Sequence, residues 1–411
     1  MPVYRCPRHY GKSPRAEFGV IVEEDGAKRS MTTKTVVALI LVAASCVFVL
    51  SGQDAGRAKR EWLAYIGTYT RPPSKGIYAW RFEAASGKLT PLGLAAETSN
   101  PSFLAVHPNQ RFLYAANEDE TGAISAFAID AANGRLKLLN QVPSRGSGPC
   151  HVAVDPRGKW LFAANYNSGN VAVFPVHEDG TLGKATGFAQ HAGSSVDAQR
   201  QSGPHAHSAN LSPDGRWLLV ADLGLDQILS YRVDAVKGTL SPGDPPFTKV
   251  APGSGPRHMA FGKDGRFAYA IGEMLSTVTV FRYNSARGSL EELQTAPLTP
   301  EGYTGPKSSA EIAVHPGGKF LYGSNRGDST IAVFRIDADK GTLTLVERVS
   351  TQGKTPRNFA IDPSGAFLFA ANQDSGNVVV FKIDPATGRL TRAGTVLEVA
   401  SPVCIVFAAA H

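Results

Sequence analysis

The sequence is poor in cysteine, in long apolar runs and, over most of its length, in surplus charge, and each shortage removes a class of protein. Four cysteines occur in 411 residues, and only Cys150 and Cys404 lie beyond residue 60. The repeat described below sets these two in non-neighbouring units, so neither a disulfide framework nor a bridge between them is expected. The formal charge of +7 suggests a nucleic-acid partner until it is located. Residues 1–60 carry ten Lys/Arg against five Asp/Glu, which leaves 32 against 30 for the rest. No basic stripe interleaved with aromatics remains there, and no nucleic-acid partner is expected.

The one uninterrupted apolar run, residues 36–50, is 15 residues long. A bilayer-spanning helix needs roughly 20. Lys34 precedes the run and Ser51-Gly52 follow it, which is the grammar of a secretory signal, with Met31 giving a short basic start. The expected organisation is a disordered or mis-assigned extension over 1–30, a signal peptide and short linker over 31–60, and one folded body over 61–411. Export to the periplasm or the exterior follows, with no stable membrane span in the mature chain; an uncleaved N-terminal anchor is the alternative. Cys46 follows Ala43-Ala44-Ser45, which partly suits lipid attachment, but the large aliphatic residue usual three positions earlier is absent.

What the chain has in quantity is a repeat. Gly-x-Leu recurs seven times, at Gly87, Gly134, Gly180, Gly238, Gly288, Gly341 and Gly388. Six or seven residues before each glycine an aromatic closes an alternating apolar run, at Trp80, Phe127, Phe174, Tyr231, Phe281, Phe334 and Phe381. Alternation such as Val171-Ala172-Val173-Phe174 reads as a strand, and the glycine supplies the positive φ of a hairpin turn. A second hairpin lies upstream, as in Asp155-Pro156-Arg157-Gly158 before Trp160 and Ser212-Pro213-Asp214-Gly215 before Trp217. Four strands per unit, repeated seven times, cannot each bury two faces alone. They pack radially, which makes the chain an all-β, seven-bladed β-propeller. After Pro402 only one strand remains, and the missing outer strands lie near Trp62–Ile66 and Ile77–Phe82. The seventh blade is therefore closed by strands from both chain ends, which removes the open ring's exposed edges.

Antiparallel strands place the start of each inner strand and the end of its neighbour on one face, beside the axis. Alignment of the repeats puts Ser102, Cys150, His207, Arg257, Ala310 and Arg357 in one row, and Phe103, His151, Ser208, His258, Glu311 and Asn358 in the next. Glu118, Tyr166, Leu223, Glu273, Arg326 and Gln373 end the second strands. His207, Arg257, Glu273, Glu311, Arg326 and Arg357, with His205 nearby, thus form a candidate constellation of base, acid and anion-binding groups. The plainer reading makes the arginines partners of Glu273 and Glu311 in a channel-lining ion network. The Asn/Asp row Asn117, Asn165, Asp222, Asn325 and Asn372 reads as turn structure, as do His107 and His315. Cys150 reads as a small buried filler. His205-x-His207 has no third ligand at motif spacing, so no metal site is assigned, and no cofactor motif is present. Two longer connections, 183–203 with Arg200 and Gln201 and 291–308 with Tyr303 and Lys307, are placed to roof the mouth.

Gly203-Pro204-His205-Ala206-His207-Ser208, Gly255-Pro256-Arg257-His258 followed by Glu273, Ser309-Ala310-Glu311-Ile312 and Ser324-Asn325-Arg326-Gly327 together resemble the lactonase family of seven-bladed propellers. That family includes bacterial 6-phosphogluconolactonases and the fungal carboxy-cis,cis-muconate lactonizing enzyme, and the resemblance covers about residues 62–408. It implies a metal-independent lactone reaction on a small-molecule lactone. His207 (or His205), Arg257, Glu273 and Arg326 match the family's proposed set, with His207 or Glu273 as base and Arg257 as positive donor. By the same implication His205, Glu311, Arg326, Arg357 and Arg200 bind substrate. Export departs from the pattern, because 6-phosphogluconolactone is a cytosolic sugar phosphate. The competing class is a non-catalytic exported propeller. Arg111-Phe112-Leu113-Tyr114-Ala115-Ala116-Asn117 resembles the repeats of surface-layer propellers, which serve as cell-envelope binding modules. Such a module would tolerate near-identical repeats, whereas here the rim positions differ from blade to blade.

Overall fold

The computed structural model describes residues 61–410; the expected extension and signal lie outside the described residues. Among those described, 28 strands make seven four-stranded antiparallel sheets. In chain order these are blade 1 (101–143), blade 2 (149–190), blade 3 (206–249), blade 4 (256–297), blade 5 (309–350), blade 6 (356–398) and blade 7. Blade 7 takes its inner strand from Pro402–Ala409 and its outer three from Glu61–Thr68, Gly76–Glu83 and Lys88–Glu97. The expected closure from both chain ends is thus formed, with Trp62 opposite Ala409 and Tyr65 opposite Val406.

In blades 1 to 6 the second strand is the most buried. Phe112–Asn117, Trp160–Asn165, Trp217–Asp222, Phe267–Gly272, Phe320–Asn325 and Phe367–Asn372 are buried at every position, while the outermost strands alternate toward solvent. The core lies between blades rather than within them. Phe82 of blade 7, for example, meets Phe367 and Phe369 of blade 6 edge-on at 5.5 and 5.1 Å. Each such large side chain contributes about 1.5–3 kcal/mol of burial, so every blade depends on both neighbours.

The Gly-x-Leu row has a double cause. All seven glycines take positive φ, from 66° at Gly238 to 85° at Gly180. A Cβ on Gly180 would stand 2.3 Å from Phe112, and one on Gly238 2.2 Å from Trp160, each an aromatic of the preceding blade. The repeat therefore fixes both a turn and the docking of successive blades.

The turn histidines act as expected. His107 and His315 accept from the amides of Asn109 and Gly317, and each pairs its Nε2 with a carbonyl of the next blade, Gly158 and Gly365. Asn117, Asn165 and Asn372 bond loop carbonyls at Ser99, Ser144 and Thr351, a structural use of the row. Cys150 and Cys404 are free and buried.

Candidate active site

All seven inner strands lose register near their first residues, against the partner strand in each case. The skipped residue in blades 1, 2, 3, 4 and 6 is Ser102, Cys150, His207, Arg257 or Arg357, which is the first row of the alignment. A bulge leaves one residue unpaired and re-aims its side chain. This device turns the row toward the axis, and nothing in the sequence pattern announces it.

Three of the bulged residues, Cys150, His207 and Arg357, meet the ends of the second strands around a cavity of about 270 Å³. Arg200, His207, Glu273, Arg326 and Arg357 line it, joined by Tyr69, Glu118, Cys150 and Tyr166. Glu273 is the hub. Its Oε2 lies 3.2 Å from Arg257 Nε and 2.9 Å from an Arg326 Nη, and its Oε1 lies 2.7 Å from an Arg200 Nη. Burial pushes this carboxyl up, but Arg326, Arg257 and Arg200 outweigh it and hold the pKa down at about 2. Three cations thus converge on one carboxylate that is 6% exposed.

Opposite stands Arg357, whose guanidinium lies over the Tyr69 ring at 5.3 Å and 4.0 Å from Glu118. The Tyr69 hydroxyl donates to Glu118 at 3.0 Å. Arg357 therefore keeps a loose ion pair and an aromatic rest, which leaves its donors toward the cavity less committed than those on Glu273.

His207 is 4% exposed and edge-on to Tyr166 and His258. Burial, then Arg257 and His258, lower its pKa well below the ordinary histidine value, so the ring is neutral at neutral pH. Cys150 donates to the His207 carbonyl at 3.3 Å, and burial pushes its thiol up, out of the reactive range.

Three expected residues lie outside the cavity lining. Arg257, 2% exposed, sits behind Glu273 and spends Nη1 on the Ala310 carbonyl at 2.8 Å and on His258 Nε2 at 3.2 Å. Burial, with Arg326 and Arg357, lowers its pKa to about 10, which still leaves it charged. Glu311 is turned to His258, with its Oε1 3.1 Å from Nδ1. His205 stacks on Tyr166 at 4.4 Å and pairs with the Tyr166 carbonyl, so it braces the wall. The long connections also begin later than expected, because Gly187–Gln190 and Ser289–Pro297 are outer strands. Of their named residues only Arg200 reaches the cavity; Gln201 bonds the Leu223 carbonyl, and Tyr303 and Lys307 are not in the lining.

Tyr69, Glu118 and Tyr166 were not among the expected site residues. Glu118 and Tyr166 stand in the aligned row that ends the second strands, and Tyr69, the residue after Glu61–Thr68, is the same position in blade 7. Extending that row to the blade split between the chain ends is the signal that finds it. Among the described residues no group of three or more His, Cys, Asp or Glu side chains is disposed to hold a metal ion.

The geometry can be set beside known proteins. The seven-bladed β-propeller lactonase family profile matches residues 63–407. A 6-phosphogluconolactonase of Bacillus subtilis is 38% identical over 298 residues, covering 72% of this chain and 84% of the relative. The solved periplasmic gluconolactonase of Pseudomonas aeruginosa superposes with a TM-score of 0.81 at 37% identity, over 85% of this chain and all of that one. A putative 6-phosphogluconolactonase from Bacteroides fragilis gives 0.80 at 40%, over 85% and 98%. With blades, closure and family profile all in agreement, the chain belongs to the seven-bladed β-propeller lactonase family.

Proposed function

We propose that this chain is a carboxylic ester hydrolase that opens an anionic sugar lactone in the axial cavity without a metal ion. The observation that carries this reading is the cavity lining. Three arginines, Arg200, Arg326 and Arg357, face two carboxylates, Glu118 and Glu273, beside a neutral imidazole. The surplus of positive charge suits an anionic substrate, and the volume suits one monosaccharide-sized molecule.

Ring opening of a lactone needs a proton removed from water and a place for the charge that develops on the carbonyl oxygen. Neutral His207 has a lone pair for the proton. Glu273, with a pKa of about 2, is too weak a base and serves instead to hold the arginines in place. We assign to Arg326 and Arg357, both in the lining, the developing oxyanion and the substrate's anionic group. Arg257 acts from behind, through Glu273.

The relatives support the substrate class by name: one is a 6-phosphogluconolactonase, another a periplasmic gluconolactonase. The apolar run over 36–50 after Lys34 supports export. An exported enzyme meets few sugar phosphates, so a carboxylated lactone derived from a polysaccharide fits both the export and the positive lining better than a phosphorylated one. Among the described residues no helix is long and apolar enough to cross a membrane.

The test is a panel of phosphorylated, carboxylated and neutral sugar lactones, each with and without chelator, against the spontaneous rate. Opening of at least one above background, undiminished by chelator, is expected. A wild-type chain that accelerates none of them returns the reading to a non-catalytic exported propeller.

A further inference from the structure

Below the cavity, where blades 4 to 7 meet at the axis, lies a buried polar chain of which the reaction outlined above uses only Arg257. Arg257 Nη1 lies 3.2 Å from His258 Nε2, and His258 Nδ1 lies 3.1 Å from Glu311 Oε1. The Ile312 amide donates to that same oxygen at 3.0 Å, while Asn358 Nδ2 donates to Glu311 Oε2 at 2.5 Å. Asn358 Oδ1 in turn accepts from the Ile405 amide at 3.0 Å. Four blades are tied together through residues that are all less than a tenth exposed.

The chemistry of the partners fixes the direction of this chain. A guanidinium has donors and no acceptor, so His258 Nε2 must present its lone pair to Arg257. The ring proton then sits on Nδ1 and is donated to Glu311, the common arrangement in which a carboxylate fixes a histidine's tautomer. We propose that His258 is a positioning residue for the reaction: a neutral ring, held in its Nδ1–H form by Glu311, that orients the Arg257 guanidinium and through it the Glu273 carboxylate. The proposal rests on the lactonase reading for its kinetic consequences and on geometry alone for the tautomer.

The arrangement has one weak point, which is a second proton. Protonated at Nε2, His258 would aim an N–H at an Arg257 N–H, and Arg257 would lose an acceptor on the side away from Glu273. The groups that face the ring are Arg257 and Glu311 directly, His207 and His151 edge-on at 5.2 and 5.4 Å, and Phe103 at 5.5 Å, with Arg357 acting at longer range. Burial and the arginines oppose the added proton, while Glu311 favours it; the balance keeps the ring neutral to below the ordinary histidine range. Activity should therefore fall on the acid side of that range as His258 takes up its proton.

Two variants and one spectrum test this. In His258→Gln the amide offers an acceptor to Arg257 and a donor to Glu311; in His258→Leu it offers neither. His258→Leu should lose about 30-fold or more in kcat/KM, carried by kcat, because misplacement of an aligned group by about an ångström costs up to about a hundredfold. His258→Gln should recover most of that loss, and its acid limb should move to lower pH because the titrating ring is gone. A His258→Gln profile that superimposes on the wild type, or a His258→Gln rate no better than that of His258→Leu, overturns the proposal. If His258→Leu does not fold, the His258→Gln profile alone decides. Independently of activity, imidazole nitrogen NMR of the wild type at pH 7 should show His258 protonated at Nδ1 only; an Nε2–H or doubly protonated ring overturns it. A chain inert on every lactone that still shows the Nδ1–H ring would sink the lactonase reading, and with it the kinetic half of the proposal, while supporting the tautomer and the hold of His258 on Arg257.

Discussion

Arg200, carried by the connection between blades 2 and 3, reaches across to place its guanidinium 2.7 Å from Glu273 Oε1 on blade 4. The same guanidinium is 3.3 Å from the Tyr166 hydroxyl, so one side chain links blades 2 and 4 over the cavity mouth. Its side chain is 45% exposed, whereas Arg326 on the same carboxylate is 13% exposed. The two cations are thus unequal. Arg326 is a fixed wall, and Arg200 is the one that solvent and substrate reach first.

Replacing Arg200 by Ala should therefore weaken binding more than chemistry. The expected result is a rise in KM of about tenfold for a phosphorylated or carboxylated lactone, equivalent to about 1.4 kcal/mol, with kcat within about threefold. A neutral lactone should show a smaller rise. Steady-state kinetics on the paired substrates checks it, and equal effects on both would place Arg200 outside substrate recognition.

His207 should divide the parameters the other way. His207→Gln keeps the size and polarity of the side chain and removes the proton acceptor. A drop in kcat of about 10²–10⁴-fold with nearly unchanged KM is expected if His207 removes the proton from water. Retention of more than a third of native kcat would transfer the role to another group. Cys150, beside it, should be silent: its thiol is held protonated by burial, so thiol reagents should react with the native protein slowly.

The Glu273 carboxylate gives a prediction about stability. Its folded pKa of about 2 lies below the ordinary 4.5, so its contribution is complete above pH 4.5 and is lost as the pH falls toward 2. Denaturant unfolding across this window should show stability declining with falling pH, and Glu273→Gln should flatten that part of the curve. The variant should also be destabilised by about 3–5 kcal/mol at neutral pH, because buried arginines lose their counter-charge. A Glu273→Gln protein as stable as the wild type at pH 7 would mean that the arginines find other partners.

Tyr69 shows what the sequence reveals and where it stops. The blades were legible because two periodic demands coincide at the Gly-x-Leu row: a positive φ at all seven glycines and, at six of them, room for an aromatic of the blade before, with Leu92 in its place at Gly134. The rim rows were legible because antiparallel pairing puts strand starts and strand ends on one face. The bulges that aim Arg257 and His207 were not, since a skipped pairing leaves no mark in composition or period. Nor could spacing tell lining from support: Arg257 and Glu311 share the rim alignment with Arg326, yet lie behind the cavity wall. Tyr69 was hidden for another reason, because its blade is divided between the chain ends. Tyr69→Phe keeps the ring under Arg357 and should stay within about threefold of native kcat/KM. Tyr69→Ala removes the cation–π contact, worth about 0.5–2 kcal/mol, and should raise KM by about 3–30-fold. Equal losses in both variants would mean that the hydroxyl bond to Glu118, not the ring, is what matters.

The closure of the ring supplies the last prediction. Pro402–Ala409 pairs with Glu61–Thr68 along its length and also packs on both neighbouring blades, where Cys404 Sγ accepts from the Leu104 amide of blade 1 at 3.3 Å and Asn358 of blade 6 binds the Ile405 amide. A chain ending at residue 401 loses the inner strand of blade 7 and with it the hydrogen-bonded closure between the strand that follows blade 6 and the strands that lead into blade 1. The row of amides and carbonyls on Glu61–Thr68 would become an open edge, prone to pairing with other chains. Because each blade buries its core only against its neighbours, the loss should spread round the ring rather than stay local. Truncation at 401 is therefore expected to give aggregated protein with no cooperative thermal transition, whereas Cys404→Ala should fold with a Tm lowered by a few degrees. A soluble truncated chain that unfolds cooperatively would show that six blades hold their arc without the seventh.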